Sequence, residues 1–235
     1  MDTNQILLQI QRDWLKEIRA DKEIIAMQEI INSGRGTFAE AQNIAIRSGR
    51  ILSAIFRRRL PDALVDGRLF EQTADRLIKQ PLIDAHLLVA SQAAEVMRAL
   101  NEAAGIGIAP IVPDPNMDQI NGIIHGISTA AQYTHYEESF LDQIENFAEC
   151  VVDDVVHDNA EFQYNAGLSP TIERRAVSNC CTWCSRLAGV YDYASVSDRG
   201  NDVFRRHKNC HCQILFNPGD GSKRRQDVRT RRWIG

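Results

Sequence analysis

The sequence predicts a mainly α-helical body over residues 1–168, then a small β-rich, metal-binding module over 169–218 and a basic tail over 219–235. Three observations predict this. Apolar residues recur at helical spacing through the first two thirds of the chain. Five of the six cysteines fall within the 33 residues from Cys180 to Cys212, as Cys181-x-x-Cys184 and then His207-x-x-Cys210-x-Cys212. The charge is also segregated: residues 99–173 hold 13 acidic side chains and no Lys or Arg, whereas 174–235 hold 13 basic against 5 acidic.

The helical pattern can be followed along the chain. Ile6, Leu7, Ile10, Trp14, Ile18, Ile25 and Ile31 predict one helix over about residues 4–32, which Gly34 and Gly36 then break. Thr37 and Glu40 have capping-box spacing, in which each side chain satisfies the other residue's free amide. The helix they open buries Ile44, Ile51, Leu52, Ile55 and Phe56 and ends before Pro61. Its Arg57-Arg58-Arg59 run reads as a solvated helix end that complements the dipole. A third helix is expected over about 62–79. A fourth is expected from Pro81 to about 104, since proline suits a first turn.

Residues 105–117, GIGIAPIVPDPNM, lack the Lys-Ser/Thr of a phosphate loop. They read as an irregular but ordered connector, because Ile106, Ile108, Ile111 and Val112 are too apolar for a purely flexible linker. Two helices follow, over about 118–133 and 136–163. The second carries Phe140, Ile144, Phe147, Val151 and Val155 on one stripe. Its Asp153, Asp154, His157 and Asp158 read as an exposed acidic surface, because their spacing selects no catalytic geometry. The cation-free block suggests an acidic face turned toward a basic partner or kept away from nucleic acid.

With 235 residues, 44% hydrophobic and 25% charged, the composition is that of an ordinary globular protein. No run of about 20 apolar residues occurs, so no membrane span is expected. The opening MDTNQILLQIQRDW has no basic patch before an apolar stretch, so no secretory signal is expected either. Thiols kept reduced in a cytoplasm favour metal ligation over disulfides.

Beyond Pro170 the pattern changes to short strands at Ala176–Ser178, Gly189–Tyr193 and Cys212–Phe216, interleaved with two knuckles. Two thiolates two residues apart can turn inward from one tight knuckle. A second such pair completes the four soft donors that tetrahedral zinc prefers. Cys181, Cys184, His207 and Cys210 are the expected ligands of one structural Zn²⁺ per chain. Cys212, one strand period further on, is placed to replace Cys210 or to support the site. Cys180 packs or faces solvent, His211 alternates to the opposite side, and Cys150 reads as a small core residue. Four protein ligands close the site to water, which makes it structural. No Ser-His-Asp arrangement, phosphate cradle or paired-carboxylate motif stands out, so no catalytic residue is expected.

The string Cys181-Thr-Trp-Cys184-Ser-Arg-Leu-Ala-Gly189, followed by Asp202-Val-Phe-Arg-Arg-His207-Lys-Asn-Cys210-His-Cys212, resembles the C-terminal signature of phage minor head proteins. These are the head morphogenesis family typified by the F protein of phage Mu. The resemblance covers about residues 174–216, with Lys208 and His211 standing where the family usually has other residues. It implies a virion component made in the host cytoplasm, present in few copies inside the head or near the portal. It further implies a role in head assembly, possibly DNA ejection, with portal or major capsid protein as partners. In the tail, Lys223, Arg224, Arg225, Arg229, Arg231, Arg232 and Trp233 suit contact with packaged DNA phosphates or a protein partner, the other reading being a solvated terminus. Two alternatives come from other classes: a zinc-containing nuclease of the ββα type, which needs a helix after the second knuckle, and a zinc-containing DNA-binding regulator.

Overall fold

The computed structural model describes residues 2–178, 180–207 and 210–219. Helix α1 (Thr3–Ala20) buries Ile6, Ile10 and Trp14, one residue per turn on one stripe. It stops at Asp21, whose extended backbone (φ −75°, ψ 106°) leaves its carboxylate free to accept the amides of Glu23 and Ile24, both at 3.0 Å. That cap starts α2 (Lys22–Asn32). The single helix expected over 4–32 is therefore two. The apolar spacing stays nearly in phase across the break, so periodicity alone hides it.

Helix α3 (Phe38–Arg59) begins with the capping box read from the sequence: Thr37 Oγ1 accepts from Ala39 N at 3.1 Å, and Glu40 Oε2 accepts from Thr37 N at 2.8 Å. Its arginine run is solvent-exposed at Arg57 and Arg58, as expected, and is also ion-paired. Arg57 forks onto Glu138 at 2.8 and 3.0 Å, Arg58 reaches Glu17, and Arg59 binds Asp13 at 2.7 and 2.9 Å. A 3-10 turn at Leu60–Ala63 and a tight turn follow; in the latter Asp66 and Gly67 take φ of 51° and 73°. Residues 64–70, inside the helix expected over 62–79, are consequently not helical.

Helix α4 (Glu71–Ala103) runs straight through Pro81, where the sequence suggested two helices. A proline inside a helix costs about 3 kcal/mol. Here it is outweighed by one continuous buried stripe, Ala74, Leu77, Ile78, Leu82, Ala85, Val89 and Ala93. The connector over 104–116 is irregular and pinned to the body. His86 Nε2 meets Pro113 O at 2.8 Å, Asn101 Nδ2 donates to Ile108 O at 2.9 Å, and Asn159 brackets both the amide and the carbonyl of Ile111 at 2.8 Å. Helices α5 (Met117–Thr129) and α6 (Tyr133–Asn165) complete the helical part. Helix α6 packs along α3 so closely that a Cβ on Gly49 would lie 2.9 Å from the Glu145 Cα.

The remaining elements are β1 (Thr171–Arg175), α7 (Thr182–Leu187), β2 (Gly189–Asp192), α8 (Tyr193–Val196) and β3 (Gln213–Asn217). The strands form one antiparallel sheet in the order β2-β1-β3, with Ile172 opposite both Tyr191 and Phe216. The first strand thus lies at 171–175 and not at the expected 176–178. Its alternation was masked because one of its two inward positions is Arg174. The protein is mainly α with a small β-rich region beside the cysteines. Helix gives way to strand near residue 170, yet the core runs across that point: Ile172, Tyr193, Val196, Val203, Ile214 and Phe216 join the helical residues in one buried cluster. No helix among the described residues is long and apolar enough to cross a membrane.

Candidate metal centre

The sheet and the short helix α7 bring the cysteines together. Cys181 caps α7, its Sγ accepting the Cys184 amide at 3.5 Å, and the first turn then carries Cys184 inward to full burial. The second knuckle folds back on itself through Cys210 N donating to His207 O at 3.1 Å. Cys212 immediately precedes β3, and the pairing of β3 with β1 fixes its approach. Both knuckles therefore hang from neighbouring strands.

The donors form two overlapping triads that share Cys184. Within each, the ligand atoms lie within 4.8 Å of one another: Cys181, Cys184 and His207 in one, Cys184, Cys210 and Cys212 in the other. His207 Nε2 is 3.2 Å from Cys181 Sγ and 3.1 Å from Cys184 Sγ, and the Cys184 and Cys210 sulfurs are 3.6 Å apart. Around a tetrahedral ion with metal–sulfur bonds near 2.3 Å, neighbouring sulfurs stand about 3.8 Å apart. Three of the four expected ligands thus share a triad. Cys210 reaches them through Cys184, and Cys212 stands with Cys184 and Cys210, giving five soft donors for one or more positions. This donor set fits a metal ion. Cys180 is half-buried against the cluster and belongs to neither triad.

The electrostatics differ between the outer and inner donors. The Cys184 amide at the start of α7 lowers the Cys181 thiol to about 7. Burial pushes Cys184 up to about 12 and also raises Cys212. Buried thiols this reluctant to ionise become ligands only when a metal replaces the proton. A positive charge already faces them. Arg174, 1% exposed, points Nη2 at Cys184 Sγ and Cys210 Sγ, each at 3.6 Å, donates Nη1 to Val203 O, and lies over the Trp183 ring at 5.4 Å. It is suited to balance the excess negative charge of a thiolate-rich site.

A second arginine ties this centre to the helices. Arg206 precedes His207 and enters the body, where Nε and Nη2 grip Asp153 at 2.5 and 2.9 Å and Nη1 reaches Glu149 at 3.1 Å. It also donates to Gln42 Oε1 at 3.1 Å and to Cys210 O at 2.8 Å. The Arg206, Glu149 and Asp153 side chains are 2%, 1% and 4% exposed, so this is an internal ion cluster. Burial alone would lower the Arg206 pKa, but the two carboxylates hold it charged and raised. His211 turns the same way, its Nδ1 2.9 Å from Glu149 Oε1.

The expectation of an exposed acidic surface on α6 is therefore corrected. Asp153 and His157 are buried, Asp154 and Asp158 are half-buried, and Arg206 and Arg199 of the same chain supply much of the opposing charge. Arg174, Arg206 and Glu149 were the residues missed. The complementary charge of the two segments was the one available signal for them.

No family model, curated protein or solved structure matches this chain. The tail residues Lys223, Arg224, Arg225, Arg229, Arg231, Arg232 and Trp233 lie outside the described residues.

Proposed function

We propose that this protein is a structural, non-enzymatic component of a bacteriophage head, of the minor head protein kind, whose C-terminal part is clasped by zinc. The observation that carries the metal reading is the convergence of two separated knuckles on Cys184, with Cys184, Cys210 and Cys212 all buried and His207 completing the outer triad. An ion held by four such soft protein donors stabilises a fold and leaves no open position for a substrate. One Zn²⁺ per chain is the proposed cofactor, chosen for the tetrahedral sulfur and imidazole set.

The head-protein reading rests on the motif Cys181-x-x-Cys184, then His207-x-x-Cys210-x-Cys212, and on the run between them. The partners it implies are portal and major capsid subunits, with packaged DNA as a further contact for the basic tail. The element after the second knuckle supports a non-catalytic role: it is strand β3, where a ββα nuclease requires a helix. Mass spectrometry of purified phage particles that encode the chain tests the proposal. It predicts a few copies per particle; particles complete without this chain would refute it.

A further inference from the structure

Further along α6, beyond Asp153, stands a different donor set. The His157 ring is held edge-on by Tyr193, with centroids 5.6 Å apart at 71°, and by Phe204, at 4.8 Å and 77°. Its Nε2 lies 3.1 Å from Ser197 O. A carbonyl only accepts, so Nε2 donates to Ser197 O, with Tyr193 Oη 3.4 Å from the same nitrogen. Nδ1 is buried in a residue 4% exposed and has no hydrogen-bond partner. It faces the Asp158 carboxylate, with Oδ1 at 3.5 Å. An imidazole nitrogen and a carboxylate facing each other in a low-dielectric setting call for a proton or a metal ion between them. Glu161 stands four residues beyond His157, on the same helix face, and the three ligand atoms lie within 4.8 Å of one another.

We infer that His157, Asp158 and Glu161 form a second metal site, separate from the cysteines, for a divalent first-row ion of the Mn²⁺ type. One imidazole and two carboxylates suit such an ion, whereas the thiolate cluster prefers zinc. The Nε2–H bond to a backbone carbonyl is the support that metal-binding histidines use to fix ring and tautomer. Arg199, 61% exposed, now pairs with Asp158 and is the cation that a metal would displace; its exposure leaves it room to swing away.

The test is titration of the full-length chain, as purified, with Mn²⁺, read by the electron paramagnetic resonance of free Mn²⁺ and by the NMR signals of the histidine rings. The expected result is one saturable Mn²⁺ per chain, with the His157 ring broadened first. Glu161→Gln and Asp158→Asn should each weaken binding at least tenfold while circular dichroism and zinc content stay unchanged. Absence of saturable binding, indifference to both substitutions, or first broadening at His125 or His135 would overturn the site. Thiolates compete poorly for Mn²⁺. The outcome therefore stands whether or not the cysteine cluster proves to hold zinc.

Discussion

Arg206 grips Asp153 with two nitrogens, at 2.5 and 2.9 Å, although 53 residues separate them in sequence and both side chains are buried. The residue after Arg206 is His207, so one step of backbone joins the ion cluster in the helices to the candidate metal centre. An isolated charge at this depth would be costly; here each is answered. Removing one partner leaves the others unpaired. Arg206→Ala should destabilise the protein by about 3–5 kcal/mol. Arg206→Lys should cost less but not be neutral, because an ammonium cannot reproduce the fork. Urea unfolding followed by circular dichroism measures both, and an Arg206→Ala midpoint equal to wild type would show that the cluster contributes nothing.

Cys184 belongs to both donor triads, which makes it the residue whose loss the centre tolerates least. Cys184→Ser should reduce bound zinc from about one per chain to near zero and loosen the segment from Thr182 to Cys212. Cys180→Ser, outside both triads, should leave zinc unchanged. Chelation of the wild-type protein should reproduce the Cys184→Ser state, because a metal that binds only the folded form stabilises it by its binding free energy. Elemental analysis of freshly purified protein decides the matter, and a zinc-free wild type that remains fully folded would contradict it.

What was legible in the sequence was local. The Thr37–Glu40 box spans four residues, and the two knuckles are spacing motifs, so neither needs knowledge of the rest of the fold. The break at Asp21 was not legible, because its cap is reinforced by Arg47, 26 residues away. Helix α4 hid its continuity behind Pro81, since only tertiary burial outweighs the proline. Arg174 and Arg206 were the hardest. A charge in a sequence reads as solvated until its partner is known, and theirs are cysteine sulfurs on other elements and carboxylates more than 50 residues upstream. The segregation of acids and bases did carry the information, but only as a property of whole segments.

Gly49 sits at a close approach of α3 and α6. A methyl there would sit 2.9 Å from the Glu145 Cα and 3.2 Å from the Ala148 Cβ, both part of the α6 framework. Alanine usually favours a helix over glycine by up to about 1 kcal/mol. The contact should reverse that sign, with Gly49→Ala costing about 1–3 kcal/mol as the helices are forced apart. A drop of some 2–4 °C in Tm per kcal/mol is expected at this chain length. A raised Tm would mean that the two helices separate without strain.

Asp21 provides a pH test with a definite sign. Burial acts to raise its pKa, but Arg47 and the amides of Glu23 and Ile24 more than offset this and hold it below the usual carboxylate value of 3.8. A carboxyl depressed by folding contributes stability that is fully present above the unfolded value. That contribution is lost as pH falls through the folded one. As pH falls below about 4, the wild type should therefore lose stability that Asp21→Asn does not have to lose. At pH 7 the Asn variant should be weaker by of order 1 kcal/mol, because the amide still caps α2 but no longer pairs with Arg47. Urea midpoints for both proteins should converge toward low pH, and parallel curves would show that the Asp21–Arg47 pair carries no proton-linked stability.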